Sequence, residues 1–61
     1  MDDISIIEEA IRLEMEAERR YAEQIKTMQD PFLVGFLEGL RRNEEEHGDF
    51  LRGILERLKG G

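Results

Sequence analysis

The sequence predicts an all-α chain, a two-helix antiparallel hairpin that dimerises into a four-helix bundle. Three observations carry this. The 61 residues contain one strong break, Gln29-Asp30-Pro31. Apolar residues recur at steps of three and four on both sides of it, the period of a helix with one buried stripe. The chain has no Cys, and below roughly 70–80 residues a stable fold usually needs a disulfide, a metal or a partner chain. With disulfides excluded, a second copy or an oxygen- and nitrogen-ligated metal must supply what the small core cannot.

The turn is the most local of these signals. Asp30 is a good N-cap, because its carboxylate can accept from the free amides of the following turn, and Pro31 suits the first helical position. The residue before a proline is pushed out of the helical region, which ends whatever precedes it. Upstream, Asp3 or Ser5 can cap a first helix, and Ser5 with Glu8 has capping-box spacing. Downstream, Gly60 and Gly61 follow Lys59 and read as a helix stop. The expected layout is one domain over 1–61, with helix 1 from about 4 to 28, a turn at 29–30 and helix 2 from about 31 to 58.

On helix 2, Leu33, Leu37, Leu40, Glu44, His47, Leu51, Ile54 and Leu58 follow one another at bundle spacing, widened by Phe36 and Phe50. The matching stripe on helix 1 is Ile7, Ala10 with Ile11, Glu14, Ala17 with Glu18, Tyr21, Ile25 and Met28. Glu8 with Arg12 and Glu16 with Arg20 have the spacing of surface ion pairs. Gly35 and Gly39, one turn apart, allow a close backbone approach. A hairpin buries one side of each stripe, and the rest needs another layer; a two-fold dimer provides it.

Charge narrows the function. Fifteen acidic residues against nine basic ones leave a formal net charge of −6. Such a chain repels phosphate backbones and attracts cations, so nucleic acid is not an expected partner. No apolar run approaches the roughly 20 residues of a membrane span, and no leader opens the chain, so no membrane partner and a cytoplasmic location are expected.

Glu14, Glu44 and His47 interrupt the apolar stripes. A carboxylate in such a position must be protonated, paired or coordinated. Counted outward from Asp30 at about 1.5 Å per residue, all three lie at one height of the hairpin. One chain offers two carboxylates and one imidazole, and a symmetric dimer doubles this. Carboxylates with imidazole and no thiol suit iron or manganese, with zinc also admissible. A Glu from each of two helices and a Glu-x-x-His from each of the other two is the ligand set of ferritin-like di-iron bundles. Glu-x-x-His alone is weak, since eleven Glu among 61 residues give it about one chance in five; the third ligand at matching height adds the weight. The bland alternative is a metal-free polar core. Tyr21, two turns from Glu14, is a buried aromatic or a second-shell partner of a metal-bound Glu. Glu18 lies at the edge of the stripe.

The stretch from Glu14 to His47, EMEAERRYAEQIKTMQDPFLVGFLEGLRRNEEEH, resembles the encapsulated ferritins, a branch of the ferritin-like and rubrerythrin group. The shared features are a Glu followed seven residues later by Tyr, the Asp-Pro turn and the Glu-x-x-His of helix 2. The resemblance implies a half-ferritin whose subunits form a ring-like decamer, with a ferroxidase centre of two iron ions per homodimer. It implies oxidation of Fe(II) to Fe(III) with O₂, and storage of the product inside an encapsulin shell, a cytoplasmic nanocompartment. Carried over, Glu14, Glu44 and His47 are the catalytic metal ligands, with Glu44 bridging, and Glu16 falls where the family has an acidic residue at which metal enters. The neighbouring position of that route is Leu13 here, a departure from the pattern. Family members also carry a C-terminal targeting extension, whereas this chain stops at Lys59-Gly60-Gly61. A rubrerythrin-like peroxide reductase and a metal-free helical oligomerisation module are the alternatives.

Overall fold

A computed structural model describes residues 2–60. It contains two helices, α1 (Asp3–Thr27) and α2 (Pro31–Gly60), packed against each other as a hairpin. The turn forms as its residues dictate. Asp30 accepts from the Phe32 amide at 2.9 Å and the Leu33 amide at 3.3 Å, so its side chain replaces the helical partners that the first amides lack. Met28 is extended and its amide closes α1 onto the Ile25 carbonyl.

The start of α1 differs from expectation. Neither Asp3 nor Ser5 is the cap; Asp2 is, accepting from the Ser5 amide at 2.8 Å. The cap needs an acceptor three residues before a free amide, and Asp2 meets that for Ser5, one position ahead of Asp3 and three ahead of Ser5. Its carboxyl is held below the ordinary value, first by the backbone hydrogen bond from Ser5. At the other end α2 runs through Gly60, past the expected stop. Gly61 lies outside the described residues.

The hairpin measures 46 × 17 × 12 Å. Its long axis is that of the 30-residue α2, and its smallest dimension is about that of one helix with its side chains. It is therefore one layer, two helices wide. No hydrophobic side chain is fully buried, and Gly48 is the one buried residue among those described. The chain exposes 4728 Å², whereas a compact 7.2 kDa monomer exposes roughly 4,100 Å².

The α1 stripe packs as read: Ile7, Ala10, Ile11, Glu14, Ala17, Glu18, Tyr21, Ile25 and Met28 are all partly buried. On α2 the stripe splits. Leu37, Leu40, Glu44, Leu51 and Ile54 are partly covered, while Leu33, His47 and Leu58 are exposed. For His47 the cause is rotation: α2 presents Gly48, Leu37 and Leu55 to α1, and at about 100° per residue His47 falls to one side, while Leu33 and Leu58 lie near the two ends of α2. The two broad sides of the hairpin consequently differ. One carries Ile6, Leu13, Leu33, Phe36 and Leu58, all exposed. The other is bridged by charge, with Arg41 3.9 Å from Glu18 and Lys59 3.4 Å from Glu8.

Two further expectations need correction. The Glu8-Arg12 and Glu16-Arg20 pairs do not form; Arg12 instead bridges Glu9 at 2.6 Å and Glu16 at 2.7 Å, and Glu8 reaches across to Lys59. Three- and four-residue spacings are both within reach of one guanidinium, so the choice follows from side-chain geometry. Gly35 and Gly39 mediate no close approach within the hairpin, since a Cβ at either would meet nothing within 4 Å.

Replacing Asp30 with Ala should lower stability by about 1 kcal/mol, as loss of an N-cap does. Replacing Glu16, half of an exposed pair, should change it by at most a few tenths. Thermal unfolding followed by circular dichroism at one protein concentration checks both.

Candidate metal centre

Glu14 comes from the middle of α1, and Glu44 and His47 from successive turns of α2. Antiparallel packing about the Asp30 turn brings them to one level. One ligand atom from each can be chosen so that all three lie within 4.8 Å of one another. The three residues picked out by height and stripe position are thus a physical cluster. It sits on the apolar side of the hairpin, open to solvent on this chain: the Glu14 side chain is 24% exposed and that of His47 63%.

The group is not electrostatically satisfied. His47 Nδ1 approaches Glu14 Oε2 to 3.4 Å but completes no hydrogen bond, and that oxygen is buried without a partner. Glu44 has its pKa raised above the ordinary value. The largest cause is its hydrogen bond with Glu14, followed by partial burial and the Glu14 charge, with His47 acting in the opposite direction. Two carboxylates at this distance cannot both be ionised cheaply unless a cation lies between them. A proton serves that purpose weakly, and a divalent metal would serve it more fully. An orphaned carboxylate oxygen beside an imidazole and a second carboxylate fits a hard or borderline divalent cation. One chain supplies three donors, fewer than such ions take, and leaves the solvent side open.

The other named residues stand apart from this cluster. Glu18 turns to the opposite broad side, toward Arg41, and is not among the three converging groups. Glu16 lies on the outer face of α1, tied to Arg12. Tyr21 is partly buried on the same side as Glu14, but its hydroxyl forms no hydrogen bond among the described residues. One feature that sequence reading missed is the hub at Arg41, near Glu38 at 3.2 Å, Glu18 at 3.9 Å and Glu45 at 4.0 Å. Glu38 and Glu45 stand three before and four after Arg41, a spacing that could have revealed it.

Comparison with family models, curated proteins and solved structures finds no match. The likeness to encapsulated ferritins therefore rests on the residues quoted above. No helix among the described residues is long and apolar enough to cross a membrane.

The raised pKa of Glu44 has a sign. Its folded form holds a proton more tightly than the unfolded chain, so the stability it adds is complete at low pH. That stability is lost as pH rises from about 4.5 through the raised value. Metal-free wild-type protein should lose melting temperature over that interval relative to Glu44→Gln, whose side chain cannot ionise. Divalent cation affinity should rise across the same interval, because metal and proton compete for one carboxylate. Parallel melting and calorimetric titrations against pH measure both.

Proposed function

We propose that the chain is a ferroxidase that oxidises Fe(II) with O₂ at a centre shared between two hairpins. The observation that carries this reading is the Glu14, Glu44 and His47 cluster with its unpartnered buried oxygen, open toward the apolar side of a one-layer hairpin. A second copy packed there by a two-fold axis brings four carboxylates and two imidazoles together, enough for two metal ions in a bundle core. The same packing covers Ile6, Leu13, Leu33, Phe36 and Leu58. The exposed area is in keeping with this: the chain carries roughly 600 Å² more than a compact monomer of its mass, and a standard interface takes about 800 Å² from each partner.

In this mechanism Fe(II) is substrate: two ions give up one electron each, and O₂ takes the two electrons with two protons from solvent to leave as hydrogen peroxide. The protein holds, orients and neutralises. Glu44 would release its proton to solvent when Fe(II) binds, and by the resemblance it is the carboxylate that would be shared between the two ions. Glu14 fixes the α1 side of the site through its buried oxygen, and His47 supplies a neutral donor from the exposed side. Manganese or zinc fits the same donors. In the assembled bundle the Tyr21 hydroxyl would hydrogen-bond a metal-bound Glu. Glu16, paired and facing outward, is at most a point where iron first binds. By the resemblance, dimers close into a ring-like decamer that passes Fe(III) to a mineral stored within an encapsulin shell.

A second reading has an observation of its own. The close approach of Glu14, Glu44 and His47 also describes a metal-free polar network in an oligomerisation module. Metal content separates the two.

Anaerobic Fe(II) should bind at about one ion per chain and shift the sedimentation coefficient toward the dimer. Full-affinity binding to a chain that remains monomeric would overturn the shared site. Glu44→Ala and His47→Ala should each lower the rate of O₂ consumption at least about a hundredfold while far-ultraviolet circular dichroism stays helical. Glu16→Ala should retain the chemistry within a few-fold. A protein that takes up no iron, manganese or zinc is the module instead.

A further inference from the structure

The charged side of the hairpin holds a pocket of about 260 Å³, on the face turned away from the metal ligands. Met15, Glu18, Arg19 and Ala22 of α1 line it together with Arg41 and Arg52 of α2. Relative to Gly48, which faces α1, Arg41 and Arg52 lie about 20° and 40° to one side of α2, and His47 about 100° to the other. The pocket therefore lies within one chain and away from the surface that would meet a second hairpin.

Its charge is opposite to that of the molecule. Three arginines and one glutamate line it, whereas the whole chain carries −6. The nearest groups decide what binds, because exposed charges are screened beyond about 8–10 Å. These guanidiniums also keep donors unspent. Arg41 gives Nε and Nη2 to Glu38 at 3.4 and 3.2 Å. Its Nη1 stands 3.9 Å from Glu18 and 4.0 Å from Glu45 and bonds neither. Arg52 spends only Nη1, on Asp49 at 3.2 Å. Arg19 is exposed and forms no ion pair among the described residues.

Gly48 helps to place Arg52. Helical side chains lean toward the N-terminus, which lays the Arg52 guanidinium over the preceding turn. A Cβ at Gly48 would stand 3.4 Å from Arg52 Nη1 and 3.9 Å from its Cζ. The buried glycine thus leaves the guanidinium room to rest against the helix pair, beside the pocket.

The remaining polar group of the lining is Glu18. It is 33% exposed, and its carboxylate accepts no hydrogen bond among the described residues. An anion seated here must bring a donor for Glu18 as well as acceptors for the arginines. Inorganic phosphate brings both, since in neutral water it keeps at least one P–OH beside its charged oxygens. Sulfate keeps no proton and meets Glu18 as a like charge. A phosphate monoester loses its last proton near about pH 6 and above that behaves as sulfate does.

We propose that this pocket binds inorganic phosphate, held by Arg19, Arg41 and Arg52 and selected by Glu18 through the proton that phosphate keeps. Asp49 competes weakly for Arg52, because an exposed ion pair is worth little and a dianion attracts a guanidinium more strongly than one carboxylate does. Bridging waters complete the contacts that the arginines do not reach. The site needs neither a metal nor a second copy.

Calorimetric titration of the metal-free protein at about pH 8 tests this with inorganic phosphate, sulfate and glycerol phosphate. Phosphate should bind at about one per chain, at least about tenfold more tightly than the other two. Arg19→Gln and Arg52→Gln should each weaken it at least about fivefold, with far-ultraviolet circular dichroism unchanged. Arg57→Gln removes the same charge from the outward face of α2 and should leave phosphate affinity within about twofold. Glu18→Gln should bring phosphate and sulfate to within about threefold of each other. His47→Ala should lose cation uptake but bind phosphate as wild type does, which separates this pocket from the metal reading. The proposal is overturned if wild type binds no phosphate, or binds sulfate or glycerol phosphate as tightly. It is equally overturned if Arg57→Gln costs as much as Arg19→Gln, if Glu18→Gln keeps the wild-type preference, or if His47→Ala abolishes phosphate binding.

Discussion

A layer one helix thick cannot enclose anything, and this constraint governs the rest of the molecule. With a smallest dimension of 12 Å, each helix can bury only the strip that meets its neighbour. Apolar groups beyond that strip stay in water, at a cost of about 25 cal/mol for each Å². Polar groups beyond it remain half-hydrated. The cluster at Glu14, Glu44 and His47 is placed at this boundary, close enough to α1 packing that one Glu14 oxygen is buried, and far enough out that the imidazole is mostly free. A deeper position would demand neutral carboxyls, and a fully exposed one would not perturb Glu44.

The parts of this arrangement that could be read from the sequence are those with short-range causes. Asp30-Pro31 makes a turn through contacts within three residues, and it forms as read. The α1 stripe follows from helical period alone. Height along the hairpin needs only counting from the turn, which is why Glu14 was matched to Glu44 and His47. What depended on rotation about the helix axis was harder. His47 shares the period of the α2 stripe but not its burial, because the contact is centred on the Gly48 side, whereas Leu33 and Leu58 point the same way as the covered Leu51 and Leu40 and are exposed near the two ends of α2. The Arg12 pairs depend on which of several carboxylates a flexible guanidinium reaches, and the Asp2 cap lies one residue before Asp3 and three before Ser5, two comparable candidates. Gly35 and Gly39 have no role that one chain can express.

The distribution of charge also has two scales. Over the whole chain, −6 favours cations but is screened beyond about 8–10 Å at ordinary ionic strength. Most of the acids spend their charge locally: Glu9 and Glu16 on Arg12, Glu23 on Lys26, and Glu18, Glu38 and Glu45 around Arg41. Glu14 and Glu44 have no Lys or Arg within reach among the described residues. They face each other and an imidazole instead, and the result is a raised pKa rather than an ion pair. In a chain rich in acids, the pair left without a cation is more informative than their number.

This bears on the choice between a metal and a metal-free network. A hydrogen-bond network that had settled into its own minimum would satisfy its most buried acceptor first, since an unpartnered buried oxygen costs about 1–3 kcal/mol. Here the reverse holds: the exposed imidazole is 3.4 Å from Glu14 Oε2 without completing a bond, and the buried oxygen is the one left over. A donor approaching from the imidazole side, between the two carboxylates, would satisfy that oxygen and relieve the Glu14-Glu44 repulsion together. In the proposed dimer a second hairpin would add carboxylates and another imidazole to this space but no Lys or Arg from the equivalent positions, so closure without a cation would sharpen the repulsion. A cation shared between the copies would resolve both more fully than a proton does, so in the proposed centre assembly and metal binding are one event.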